Sequence, residues 1–501
     1  MRNPKKGDGV FPKDHIFTTE EVRERLEPIV DKTLGEIDIA GVFERTKVNP
    51  KITGIAGNVI EQSVLGYRAN SDQAPDILLD GVETEVKATG IRRVKGGGDD
   101  TYQAKEPMSI TAVSVETIVS EEFDFSNFKH KIDQMLIIYY LYDSDHTVKA
   151  VEYAGFPVKG YEVHRFDDHD MDVLRRDWTT VRDFIRTLQD EYAVPENEYH
   201  RLSHELRDKL MYIDTAPKWP HRPRFRLKRS LVDEMVRGYF DERRHSTKGS
   251  ITLEDFDSYS ELDRVCHEFT ERYRGRTVMS LMSEFGVQSG ERIPKSVAEV
   301  LVVRMFGVQA KKMRDIDLFR KIGLNAKTIS LSSNGGRTED MKLMPVDISE
   351  FFDENIDFED SAIRDYFANH QLLCIMFQEK DRDQNFGDNR FLGFKRLVFD
   401  DVFIDGEVRR TWEDARSTVF QGRLRETVLT NRDGSPMTNK KGNVVTSVNF
   451  PKSRDHDVFF RGTGTDSDDK PVVLAGVRMY RQDIWIKGKT IVKELACREF
   501  I

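Results

Sequence analysis

Between Pro75 and Lys87 the chain reads Pro-Asp-Ile-Leu-Leu-Asp-Gly-Val-Glu-Thr-Glu-Val-Lys, two short runs joined at Asp80-Gly81. An Asp-Gly pair between apolar runs signals a hairpin, because both residues tolerate the positive φ of a tight turn. Side chains alternate across a strand, so Glu83, Glu85 and Lys87 share one face while Val82, Thr84 and Val86 share the other. Asp76, on the facing strand, brings a further carboxylate to the same edge. A hard divalent cation takes anionic oxygen ligands; here Asp76 and Glu85 qualify, with the carbonyl of Val86 as a third. Open positions remain for water and a phosphate oxygen. Lys87 then orients and helps deprotonate the water, and ammonium and cation together offset the charge that builds during in-line attack. The chemistry expected of this edge is magnesium-dependent phosphodiester hydrolysis. A Glu-x-Lys triplet alone carries little weight in a chain that is 33% charged, where its bland reading is a solvated strand face.

Neighbouring segments add weight. Gly54 to Gly66 reads as a helix, with Ile60 and Val64 one turn apart on its apolar side and Glu61 beside them, at the border from which a carboxylate reaches the site. Phe128-Lys-His-Lys131 precedes the apolar run Met135 to Tyr142, a buried strand, which sets Lys131 at a sheet edge near the phosphate. His221-Arg-Pro-Arg-Phe-Arg-Leu-Lys-Arg229 concentrates positive charge, and in an extended segment Arg222, Arg224, Arg226 and Lys228 project one way.

These residues resemble a known family. Gly57-Asn-Val-Ile-Glu61, Pro75-Asp76 and Gly81-Val-Glu-Thr-Glu-Val-Lys-Ala-Thr89 are similar to the active-site signature of the MutH mismatch-repair nickase and the related type II restriction endonucleases that cut at GATC. Phe128-Lys-His-Lys131, Arg176-Asp-Trp178, Ala216-Pro-Lys218 and Phe225-Arg-Leu-Lys228 follow in the family's order. The family usually runs Gly-aliphatic-Glu-x-Lys, whereas this chain inserts two residues and offers both Glu83 and Glu85. Glu85 keeps the Glu-x-Lys spacing; Glu83 is the second choice. The resemblance implies that Asp76, Glu85, Lys87 and Glu61 form the metal and catalytic set, with Lys131 assisting at the phosphate and Mg2+ as cofactor. It also implies that Lys218, Arg222, Arg224, Arg226, Lys228 and Arg229 approach double-stranded DNA, where arginine and lysine suit guanine edges and phosphates.

At 501 residues the chain exceeds one ordinary core. The polar stretch 241–259 is the expected linker, between a catalytic nuclease domain over 1–240 and a second domain over 260–501. That second half echoes the first: Lys295 to Leu301 resembles the Glu61 helix, Asp315-Ile-Asp317 the Asp76 turn, and Gly323 to Ile329 the strand of Glu85 and Lys87. Asn325 stands in the place of the ligand glutamate, and a neutral amide donates weakly to a hard cation. Asp457 to Gly462 and Met479 to Ile486 resemble the closing region of the same fold. Lys311, Lys312 and Arg314 suggest a second DNA surface, against the bland reading of an exposed basic turn. The fold class expected is α/β, a restriction-endonuclease-like mixed central sheet flanked by helices, in two related copies. Double-strand cutting by one active half further implies DNA-induced pairing of two chains, a homodimer on the substrate. The alternatives are a mismatch-repair nickase and a DNA-binding protein without catalysis.

Other features point away from other classes. The net charge of −10 argues against indiscriminate coating of DNA but leaves room for a local basic groove. Cys266, Cys374 and Cys497 lack ligand spacing and read as thiols in a reducing compartment. No stretch approaches the roughly 20 apolar residues of a membrane helix, and the first residues lack an apolar signal core. A cytoplasmic protein is expected. Asp167-Asp-His-Asp170 invites a metal reading, but it precedes a helix with apolar Leu174, Trp178, Val181, Ile185 and Leu188, so capping is the simpler role. Gly96 to Gly98 lacks the lysine and hydroxyl of a phosphate loop and reads as a mobile loop near the DNA.

Overall fold

The computed structural model describes residues 12–49, 54–68, 74–94, 101–144, 148–243, 256–336, 339–346, 348–352, 356–379, 385–431, 433–439, 442–464 and 469–501. The glycines at 96–98 and most of the stretch 241–259 lie outside them. Among the described residues the chain divides into two compact units, one up to Tyr259 and one from Ser260.

The first unit is built on a mixed sheet. Its strands are β1 (Ile16–Phe17), β2 (Ile77–Leu79), β3 (Val82–Arg93), β4 (Tyr102–Ala104), β6 (Met135–Leu141) and β7 (Val158–His164), in the order β1-β2-β3-β6-β7 with β4 beside β3. β5 (Met108–Ala112), β8 (Ile213–Asp214) and β9 (Arg224–Leu227) form a second, antiparallel sheet in the order β5-β9-β8. The Asp-Gly signal is realised: Asp80 has φ 48° and Gly81 φ 81°, and the turn sets β2 against β3 with Ile77 opposite Thr84. β3 then continues past β2 to pair in parallel with β6, Glu85 opposite Met135 and Lys87 opposite Ile137. A parallel pair needs a crossover. The one used here includes helix α3 (Asn127–Asp133), which is preceded in chain order by α1 (Thr19–Leu26) and α2 (Ile55–Val59).

Burial explains why β6 can be apolar throughout. All seven of its residues are buried; Leu136, Ile138 and Tyr140 share a core with Val59, Ile60 and Leu65, while Tyr139 packs against Tyr239 and Phe240. Those two rings belong to α5 (Arg229–Arg243), which follows α4 (Asp168–Glu191). Helices therefore cover both faces, the usual condition for a strand with no polar alternation.

The second unit has its own mixed sheet. Leu324–Leu331 pairs in parallel with Gln371–Gln378, which pairs antiparallel with Arg390–Leu397. A separate antiparallel sheet has the order Met341–Pro345, Arg481–Ile486, Val458–Thr463. Their core includes Ile329, Phe351, Phe367, Cys374, Trp412, Phe460 and Ile484. Among the described residues no helix is long and apolar enough to cross a membrane.

Candidate active site

The site forms where β3 outruns β2. Asp76 immediately precedes β2, so extending the antiparallel register places it beside the backbone of Glu85 and Val86. The Glu85 amide donates to the Gln134 carbonyl at 3.0 Å. Along a strand the peptide groups of successive residues face opposite sides, so the N–H and C=O of Val86 face away from β6. The Val86 N–H donates to Asp76 Oδ2 at 2.9 Å, and its carbonyl points to that same side. His15 Nδ1 donates to the Asp76 carbonyl at 2.7 Å and fixes the turn from behind.

Glu85 is 2% exposed. Lys131, in the last turn of α3, donates from Nζ to both of its oxygens at 2.9 and 2.8 Å, and Lys87 Nζ donates to Oε1 at 2.6 Å. A buried carboxylate survives only when paired and hydrogen-bonded, and two ammonium groups meet that condition here. Glu83 lies two residues away on the same face of β3, yet its side chain is 39% exposed and meets His130 Nδ1 at 3.0 Å. The adjacent α3 residues His130 and Lys131 thus receive the two glutamates separately. Of the pair, Glu85 is the one gathered with Asp76, Lys87 and Lys131.

Glu61 approaches from a distorted helix. α2 passes at Ile60 into a π-helical turn, Ile60–Leu65, closed by Gly66 at φ 86°. The Gly66 and Tyr67 amides both donate to the Glu61 carbonyl, at 2.8 and 3.0 Å. Such wide turns are frequent at functional sites, where they re-aim a side chain. Burial, followed by the charges of Asp76 and Glu85, pushes the Glu61 carboxyl up to about 7, although Lys87 and Lys131 pull it back. Burial and the Glu85 charge push Asp76 up to about 6, against the Val86 N–H and the same two lysines. For both groups burial is the largest cause, and repulsion among the carboxyls of Glu61, Asp76 and Glu85, three acidic groups beside two lysines, adds to it.

That surplus suits a hard cation. Among the described residues no three histidine, cysteine, aspartate or glutamate side chains stand together as a ready cage. Two carboxylates, those of Asp76 and Glu85, and the Val86 carbonyl nevertheless supply the oxygen donors that such an ion takes, the rest being water or phosphate.

The basic run divides. Arg222 and Arg224 are exposed and Lys218 is half-buried. Arg226 is held by Asp214 in a two-pronged pair at 2.7 and 3.0 Å, and Arg229 Nε donates to the Ala104 carbonyl at 3.0 Å. The expectation that Lys228 projects with the arginines is corrected. The strand ends at Leu227, and Lys228 turns inward, 2% exposed, with its ammonium bonded to the Leu210 carbonyl. Its charge acts inside the unit, on Asp177. Asp177 accepts the amides of Met211, Tyr212 and Ile213. The acidic cluster before α4 takes the capping role: Asp167 accepts the Asp170 amide at 2.8 Å, and Asp170 accepts the Tyr212 hydroxyl at 2.8 Å. His15 and Tyr67 have no signal in the sequence, because each reaches the site through tertiary packing.

Residues 65–177 match the family model of the DNA mismatch repair enzyme MutH, a span that holds Asp76, Glu83, Glu85, Lys87 and Lys131. The chain is also 22% identical to the type II restriction enzyme Sau3AI of Staphylococcus aureus, over 528 positions that cover 96% of this chain and 99% of that enzyme. This chain is related to the MutH-like restriction endonucleases. The first match covers the edge that carries Asp76, Glu85 and Lys87, and the second runs through both units.

Proposed function

We propose that the protein is a type II restriction endonuclease that makes magnesium-dependent double-strand cuts in DNA at a short site, GATC by the family resemblance. The observation that carries this reading is the burial of Glu85 between Lys87 and Lys131 beside Asp76. In this reading Asp76 and Glu85, with the Val86 carbonyl, hold the cation, and Glu83 stays with His130. Bound there, the ion supplies Lewis-acid stabilisation of the phosphate and a more acidic water. Lys87 orients the attacking water and offsets charge on the phosphorane; Lys131 holds Glu85 and stands near the phosphate. Glu61, buried beside Asp76 and Glu85 and raised to about 7 in the cation-free site, stands where a proton can be accepted and returned. Lys218, Arg222 and Arg224 face the DNA, and the product carries a 5′ phosphate.

The second unit, over 260–501, is assigned as a degenerate copy that binds DNA without cutting it. Support comes from strand order. Each unit has a parallel pair followed by an antiparallel neighbour, and a second sheet in which the first strand pairs with the last and the last with the one before it. Where the first unit has Glu85, this one has Asn325. Lys327 Nζ donates to the Lys342 carbonyl and Glu299 accepts the Met313 amide, so both groups are engaged locally. One active unit per chain cuts a duplex when two chains meet on it, which favours DNA-induced pairing. A cytoplasmic location accords with this activity.

Incubation of the protein with plasmid and Mg2+, followed by mapping of the ends, tests the assignment. Discrete double-strand breaks support it; nicks favour a repair-type nickase; an intact plasmid favours a binding protein. The restriction-enzyme similarity through both units favours the first outcome over the second.

A further inference from the structure

Tyr67 is buried, 3% exposed, and among the described residues its hydroxyl has no hydrogen-bond partner. A buried hydroxyl left without a protein partner is destabilising, so such a group calls for an explanation. Its location supplies one. The Tyr67 amide donates to the Glu61 carbonyl at 3.0 Å, at the end of the π-helical turn that presents Glu61. The Tyr67 ring packs on His15, centroid to centroid 4.3 Å, and His15 in turn holds the Asp76 carbonyl. Tyr67 therefore braces the two segments that deliver Glu61 and Asp76. Burial first, and then the charges of Glu61, Asp76 and Glu85, keep its hydroxyl protonated and able to donate.

We propose that Tyr67 is a positioning residue whose O–H donates to a water in the cation's hydration shell, on the side between Glu61 and Asp76. This rests on the cation site proposed above. A neutral donor suits that place, because it steadies a polarised water without adding positive charge that would repel the ion.

The test is Tyr67→Phe, which keeps the ring on His15 and deletes only the hydroxyl. Mn2+ is the probe, titrated calorimetrically into the full chain without DNA, beside Glu85→Ala as a control. Loss of one hydrogen bond weakens Mn2+ uptake about three- to tenfold, while the metal-free variant, which loses no hydrogen bond to a protein group, melts at the same temperature as the parent. A purely structural role for Tyr67 gives the opposite pattern, a lower melting temperature with unchanged affinity, and overturns the proposal. Equal affinity in Tyr67→Phe, with binding lost in Glu85→Ala, also overturns it but leaves the cation site standing. Absence of saturable Mn2+ uptake by the parent removes both.

Discussion

Replacing Lys131 by methionine retains most of an unbranched stem and deletes the ammonium that binds both oxygens of Glu85. The two side chains are only 7% and 3% exposed. Removing one partner of such a buried pair generally costs about 3–5 kcal/mol, because the remaining charge loses its compensation. Here Lys87 stays 2.6 Å from Oε1 and keeps part of it. The expected loss is therefore smaller, about 2 kcal/mol. Adding Glu85→Gln removes the stranded charge, so the double variant should recover about 1 kcal/mol relative to the sum of the two single losses. A chain of two units does not unfold in one step, which makes a local probe preferable. Hydrogen exchange by mass spectrometry, on cation-free protein, reads the opening of β3 and β6 directly. A loss of about 2 kcal/mol speeds exchange of their protected amides roughly 30-fold. Acceleration below about threefold, or single losses that simply add, would refute the claim that Lys131 chiefly compensates Glu85.

The raised carboxyls set a pH dependence. Glu61 near 7 and Asp76 near 6 hold protons in the folded state that the unfolded chain releases at ordinary carboxylate values, so their contribution to stability falls as pH rises from about 4.5 to 7; melting curves of cation-free protein should show this slope, flattened in Glu61→Gln with Asp76→Asn. The same protons compete with the cation, so Mg2+ uptake at pH 6 should release protons, which calorimetry in two buffers of different ionisation heat detects. On the basic run, Arg224→Ala should weaken duplex binding and reduce the salt slope by about 1 without altering the melt. Lys228→Met should instead destabilise the first unit by about 3 kcal/mol through the loss of charge near buried Asp177, seen as faster exchange in β8 and β9.

Much of the site could be read along the chain because its groups lie on a local motif. The Asp-Gly turn fixes the register of β2 on β3, and register together with strand alternation determines that Asp76, Glu85 and Lys87 meet. The apolar run of β6 and the position of Lys131 just before it were equally plain. The choice between Glu83 and Glu85 was not legible from alternation, since both share a face; it turns on which glutamate lies beyond the end of β2 and opposite Lys131. Lys228 misled for a related reason. Alternation is a valid guide only within a strand, and this one stops at Leu227. The π-helical turn at Glu61 was hidden because an apolar helix pattern does not register a single wide turn. His15 and Tyr67, distant in sequence from β3, meet the site through packing that no spacing rule encodes.

In the proposed mechanism Asp76 and Glu85 share one divalent cation beside Lys87. A crystal of the protein soaked in Mn2+, with data collected at the manganese absorption edge, tests it most directly. An anomalous peak within ligand distance of both carboxylates is the result expected, and its disappearance in Glu85→Ala should follow. A peak bound elsewhere, or none at saturating Mn2+ while Glu85 remains clasped by both lysines, would contradict the account.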